Sequence, residues 1–128
     1  MILNSDSIKP IYIQIAEWLE TEILGGTLGV DAKVHSQYQL AEMLNINPAT
    51  AAKGLNLLAD DGILYKKRGL GMFVSTEAKS IILSKRKNQT LARLVEELVK
   101  EAEHLHVGED ELVDMIRTAK SKLKGEGK

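Results

Sequence analysis

The densest run of side chains able to do chemistry is Lys66-Lys67-Arg68, followed at once by Gly69-Leu70-Gly71. Consecutive cations beside glycines suit close approach to a phosphate backbone, and an arginine is drawn to the negative potential of a minor groove. Taken alone, such a run is more often a solvated face. Lys85-Arg86-Lys87 carries the same pair of readings. The other polar constellation is His104 and His106 near Glu109 and Asp110, residue types that can hold a metal. The two histidines are two positions apart at a helix end, so they do not share a helical face. A solvated terminus explains them better, and no metal site is expected. His35 stands alone, local to a helix cap. Gly-rich phosphate loops, His-Glu-x-x-His and a Ser nucleophile elbow are all missing from the chain. Arg68-Gly69-Leu70-Gly71 is too short for a dinucleotide loop and does not open a helix. Without cysteine there is no thiol nucleophile, disulfide or Cys-type zinc site. The expectation is a protein that is not an enzyme and needs no cofactor.

The frame that must position the basic run is modest. The chain has 128 residues, 44% hydrophobic, 27% charged and 4% aromatic. That is a globular mixture with an aliphatic core, which favours helices. No apolar run approaches the roughly 18–20 residues of a membrane span. Met1-Ile2-Leu3-Asn4-Ser5-Asp6 lacks the basic start and long apolar stretch of a signal peptide. A cytoplasmic protein without membrane contact is expected. With 17 basic and 18 acidic residues the net charge is −1, so any attraction for nucleic acid must be local.

Residues 10–25 read as a helix that starts at Pro10 and stops at Gly25-Gly26. Ile11, Tyr12, Ile15, Ala16, Leu19 and Ile23 form its apolar stripe, with Gln14, Glu17 and Thr21 facing away. Residues 26–34 read as a connection. A second helix begins at Ser36, where Ser36 and Gln39 make a capping box, and ends at Asn45. A third is capped by Asn47, has Pro48 in its first turn, buries Ala51, Leu55 and Leu58, and stops at Gly62. The turn between these two helices, Asn45 to Asn47, has the tightness of a helix-turn-helix. Two β-prone runs around the Gly69–Gly71 loop predict a hairpin with the basic run at its tip. Residues 77–105 contain neither Gly nor Pro and predict one long helix. Gly108 breaks the pattern, and a last helix follows at 109–123. The tail Gly125-Glu126-Gly127-Lys128 is expected to fray.

Three helices and a hairpin make a winged helix-turn-helix, mainly α with a small β-hairpin, here followed by a two-helix tail. The third helix would present Ala49, Thr50, Ala52, Lys53 and Asn56 to a major groove. Its N-terminus and the Thr50 hydroxyl can donate to phosphate. Gly69 and Gly71 would let the hairpin loop come close to the duplex.

In chain order, Pro10-Ile11-Tyr12-x-Gln14-Ile15, Ser36-x-x-Gln39-Leu40-Ala41, Ile46-Asn47-Pro48-Ala49-Thr50, Gly62-Ile63-Leu64 and Arg68-Gly69-x-Gly71-x-Phe73-Val74 resemble the GntR family of bacterial transcription regulators. The Asn-Pro-x-Thr form and the short tail resemble its YtrA subfamily. The resemblance covers residues 8–75 and rests on the ordered set rather than on any one motif. It implies phosphate contacts from Ser36 and Thr50, a wing contact from Arg68 and Gly69, and a basic recognition-helix residue at Lys53. Gln37, Tyr38, Asn47, Ala49, Asn56 and Lys67 complete the candidate DNA-binding set. The family generally has Arg where Tyr38 stands, often a basic residue at Ala52, a Pro at His35 and a Pro-Gly pair at Val30-Asp31. Residues 1–76 hold 6 basic and 8 acidic side chains. Each missing phosphate contact lowers the salt slope by nearly one unit, so modest affinity per protomer is expected and dimerisation becomes important.

Residues 1–76 are therefore expected to form the DNA-binding domain and residues 77–128 a helical dimerisation region. The tail is too small to enclose a metabolite pocket. It carries more Leu, Ile and Val than a short helical pair can bury against itself. Leu91, Leu94, Val95, Leu98, Ala102, Leu105, Leu112 and Ile116 are the candidate dimer contacts. The expected function is a dimeric repressor that binds a palindromic operator in double-stranded DNA. The alternative is a winged-helix adaptor that binds protein through its tail. A small-molecule effector is left open.

Overall fold

The computed structural model describes residues 3–126, which divide into two units after Lys85. The last two tail residues, Gly127 and Lys128, lie outside the described residues, so the fraying expected there does too. The helix α6 described below runs through Gly125 to Glu126.

In the first unit, helix α1 spans Ile11–Leu24. Pro10 caps it with ψ at 153°, one position ahead of the first helical turn, where its missing N–H does no harm. Helix α2, Gln37–Leu44, begins with the expected capping box: the Gln39 N–H donates to Ser36 Oγ at 3.1 Å and the Ser36 N–H donates to Gln39 Oε1 at 2.8 Å. It ends on Asn45 in the left-handed conformation, with φ at 53°. Helix α3, Pro48–Asp60, is capped by Asn47, whose side-chain oxygen accepts from the Ala49 N–H at 2.8 Å.

Strands β1, Leu64–Lys67, and β2, Gly71–Val74, pair antiparallel, with Leu64 opposite Val74 and Lys67 opposite Gly71. This is the winged helix-turn-helix expected from the sequence. The connection at 26–34 does more than link. The Val34 N–H donates to the Met72 carbonyl, and the Val74 N–H to that of Ala32, each at 3.0 Å, while Lys33 bridges Phe73. The segment therefore lines the free edge of β2. Such pairing is long-range and leaves no local signal.

The core joins Ile15, Leu19, Leu40, Leu58, Ile63 and Val74, all at most 1% exposed. Gly54 sits where α1 and α3 approach most closely. A Cβ there would lie 2.9 Å from the Tyr12 carbonyl oxygen and 3.3 Å from Ile15 Cγ2, too close for any side chain. Helix α4, Ala78–Lys85, closes this core with Ala78 and Ile82. Residues 77–85, which the sequence placed with the tail, thus pack on the first unit, because Ile82 finds its apolar partners there.

Two polar features of this unit have no counterpart in the sequence analysis. Gln14 is turned from the core, as expected, but it is not free. Its Oε1 accepts from the Asn4 N–H at 2.8 Å and its Nε2 donates to the Asn4 and Lys9 carbonyls at 2.9 and 3.0 Å, tying down the segment ahead of α1. Glu20, in the middle of the apolar stripe of α1, is buried and accepts from Lys85 Nζ at 3.2 Å. Lys85 also donates to Asp61 at 3.0 Å, so it fastens α4 to α1 and to the end of α3.

The second unit is helical. The single helix expected over 77–105 is interrupted: a π-helical stretch covers Arg86–Leu91, and helix α5, Ala92–His104, follows. Residues 86–90 are all polar and none is buried, so no packing enforces the tighter α repeat. Helix α6 spans Glu109–Glu126. Of the expected apolar contacts here, Ala102 is buried and Leu112 half-buried. Leu91, Leu94, Val95, Leu98, Leu105 and Ile116 are 40–64% exposed. Among the described residues no helix is long and apolar enough to cross a membrane.

Candidate nucleic-acid interface

All of the expected DNA-binding residues fall in the first unit, and none is buried. Their positions follow from the local structure. Ala51, Gly54, Leu55 and Leu58 turn inward on α3. Ala49, Lys53 and Asn56 are therefore left exposed, with Thr50 half-exposed in the first turn. The first-turn N–H groups of α3 are all engaged by Asn47: Ala49 donates to its Oδ1 at 2.8 Å, Thr50 and Ala51 donate to its carbonyl at 3.0 and 3.3 Å, and Pro48 has none. This helix end therefore offers an anion its dipole and the Thr50 hydroxyl rather than free backbone donors.

At α2, Ser36 Oγ is already an acceptor in the capping box, so its own O–H remains a donor for a phosphate oxygen. Gln37 is half-buried, and Tyr38 is 69% exposed beside it. Asn45 to Asn47 brings the start of α3 close behind the end of α2.

At the hairpin, the Leu70 N–H donates to the Lys67 carbonyl at 2.9 Å and closes the tip. Gly69 takes φ of +78°, a conformation that side chains other than glycine disfavour. Lys66, Lys67 and Arg68 are exposed around this turn. The hairpin face is an aromatic pair, Tyr65 and Phe73, with ring centroids 5.7 Å apart. Tyr65 Oη donates to Asp31 Oδ1 at 2.6 Å, and this bond, with some desolvation and the carboxylate charge, raises the phenol above its ordinary pKa.

Two cations have partners that the sequence did not suggest. Lys53 Nζ stands 4.1 Å above the Tyr12 ring, and Lys67 Nζ lies 4.9 Å from the Phe73 centroid. Both are held by ring quadrupoles, and both keep donors on the side facing water. Sequence reading also missed Lys33. Its Cε lies 3.0 Å from where a Cβ on Gly71 would stand, which places an exposed fourth cation beside the hairpin. The signal for it is the pairing of residues 32–34 with β2, which periodicity does not encode.

The remaining basic and metal-type residues divide differently. Lys85 is engaged by Glu20 and Asp61 rather than free for phosphate. Partial burial pushes its pKa down, but the Asp61 hydrogen bond and the Glu20 charge outweigh this and leave it above the ordinary lysine value. His104 Nδ1 lies 3.9 Å from Glu101, and no group of three or more potential metal ligands occurs among the described residues. His35 packs against Trp18, with ring centroids 6.2 Å apart.

No family model matches the chain. Individual proteins do. The HTH-type transcriptional repressor NagR of Bacillus subtilis is 40% identical over 75 residues, which is 59% of this chain and 31% of NagR. The chain thus spans about a third of that relative's length. The HTH-type transcriptional repressor YtrA of Bacillus subtilis is 28% identical over 123 residues, covering 96% of this chain and 94% of YtrA. Among solved structures, YtrA from Sulfolobus acidocaldarius, a GntR-family transcription factor, is 31% identical with a TM-score of 0.57. It covers 71% of this chain and 96% of its own. The AraR DNA-binding domain in complex with operator ORE1 is 28% identical with a TM-score of 0.52, over 58% of this chain and 90% of that one. The capped α2–α3 pair and the basic hairpin, together with these likenesses, carry one conclusion: the chain belongs to the GntR family of transcription regulators, which are not enzymes, and to its YtrA-like group.

Proposed function

We propose that the chain is a cytoplasmic repressor that binds a palindromic operator as a homodimer and acts by occupying it. The observation that carries this reading is the arrangement of the first unit: exposed Ala49, Lys53 and Asn56 on α3, and Arg68 at the tip of the hairpin that follows it. Winged-helix chemistry puts such a helix in the major groove and such a tip against the backbone or minor groove. In this reading Ser36 and Thr50 hold phosphates, Gln37 and Tyr38 flank them, and Asn47 orients the α3 N-terminus. Gly69 lets the Arg68 backbone approach, and Lys67 adds charge.

The DNA-bound AraR domain and the repressor names of NagR and YtrA support DNA binding and repression. The dimer is supported by the exposed apolar stripe of α5 and α6, which needs a partner. Residues 1–76 would then read DNA and 77–128 would join two copies, with α4 serving both as core and as the start of the tail. The acidic balance of residues 1–76 favours a second reading, an adaptor that binds protein.

The two are separated by a mobility-shift titration with the DNA upstream of the gene. Repression predicts a sequence-dependent, salt-sensitive shift below about 10 μM, the range of nonspecific binding. K53A/R68A should abolish it while leaving the dimer intact. A wild-type protein with no such shift, whose tail still captures a protein partner, would establish the adaptor.

A further inference from the structure

We propose, on the DNA-binding reading above, that Lys33 holds a backbone phosphate of its own beside the hairpin, so that the connection between α1 and α2 joins the interface. Lys33 stands between two apolar residues. Val34 is buried, and Ala32 packs partly buried against the core. Side chains alternate along an extended segment, so Lys33 faces the other way, into water. Its bridge partner is Phe73, and partners across a ladder share a face. By the same register Tyr65 lies opposite Phe73 and Lys67 opposite Gly71. Lys33 therefore belongs to the face of the wing that carries Tyr65, Lys67, Gly71 and Phe73.

An edge lysine often does no more than keep a strand from pairing with another chain. The stem of Lys33 does not point off the edge. It lies over β2, with Cε 3.0 Å and Nζ 3.9 Å from where a Cβ on Gly71 would stand. Gly71 takes φ of +118°, and the lysine stem uses the space that a side chain there would fill. Lys67 comes to Gly71 from the opposite edge of β2, its Nζ held 4.9 Å from the Phe73 centroid. Neither lysine has an ion pair among the described residues. Asp31, the acid closest in sequence to Lys33, is turned to Tyr65, whose Oη donates to it at 2.6 Å. Two like charges on one small face repel, and an anion placed against them lowers that cost. Lys67 adjoins Arg68 in the turn closed by the Leu70 N–H, so a duplex strand held at the tip brings its neighbouring phosphates to this face.

K33M keeps a stem over Gly71 and removes only the charge. The position is exposed, so its thermal melt should coincide with that of wild type. Anisotropy titrations of the full chain, on its upstream DNA and on an unrelated duplex, supply the test. Between 50 and 200 mM salt, K33M should reduce the slope of log affinity against log salt by about 0.9. Its affinity deficit should then be about 3.5-fold larger at the low salt than at the high. The deficit should be similar on both duplexes, because a phosphate contact carries no sequence information. K33R should keep the wild-type slope. K33M/R68A should lose about 1.8, since the two cations hold different phosphates. A K33M slope equal to that of wild type, or a double variant no lower than R68A, would overturn the contact and leave Lys33 a guard of the strand edge. A K33R slope as low as that of K33M would make the effect one of shape and overturn it as well. So would a loss confined to the upstream DNA, which means base readout. Wild-type protein that binds neither duplex would refute the DNA reading itself, and this site with it.

Discussion

Lys53 and Lys67 separate having a positive charge from delivering it to a phosphate. Each ammonium rests on a ring, Tyr12 for Lys53 and Phe73 for Lys67. Such contacts contribute about 0.5–1 kcal/mol at exposed sites and keep the cation near the surface that holds the ring. Arg68 has no ring contact or ion pair among the described residues, and its planar fork suits a phosphate or a narrow groove. The salt dependence of binding reports these differences one residue at a time. In fluorescence-anisotropy titrations between 50 and 200 mM salt, R68A should reduce the slope of log affinity against log salt by about 0.9. Y38R should steepen it by a similar amount, because an exposed neutral side chain beside the α2 cap becomes a cation there. An unchanged slope for R68A would remove the hairpin tip from the interface. These residues were legible in the sequence because caps, glycines and basic runs are local signals. Lys33 was not, since its place beside Gly71 depends on a strand-edge pairing across the chain.

Helix starts and stops were legible for the same reason. Ser36 with Gln39, Asn47 with Pro48, and Asn45 each state their role within a few residues. What escaped was tertiary. Glu20 looks like a charge interrupting an apolar stripe, and only the fold shows Lys85 reaching it from α4. Gly54 looks like a weak helix residue until Tyr12 is seen beside it. The break of 77–105 into α4, a π-helical stretch and α5 follows from where packing stops, which no periodicity in residues 86–90 announces. The Lys85 cluster makes a testable statement about α4. Because the folded state raises the Lys85 pKa, its stabilising effect is complete below the unfolded lysine value, near roughly 10.4. It is lost as pH rises through the higher folded value. K85M should therefore lower the unfolding free energy at pH 7–9 by on the order of 1–3 kcal/mol, between exposed and buried ion pairs. The gap to wild type in denaturant melts should then narrow above roughly pH 10.4. A gap that is constant from neutral to strongly alkaline pH would mean that the lysine packs there without acting as a cation.

For the whole molecule, the sum of charge is uninformative and its placement is not. Residues 1–76 carry a net negative charge, yet Lys33, Lys66, Lys67 and Arg68 gather at the hairpin and Lys53 stands on α3. One such surface is expected to read DNA only weakly. Two, joined by the apolar stripes of the second unit, would bind with the product of both contacts and would read a site of matching two-fold symmetry. Hydroxyl-radical footprinting of the full chain on its own upstream DNA is the sharpest check on that expectation. Two equivalent protected half-sites, related by a dyad and centred about one helical turn apart or a multiple of it, are expected, both weakened together in R68A. A single asymmetric patch of protection, or symmetric protection that R68A leaves intact, would contradict it.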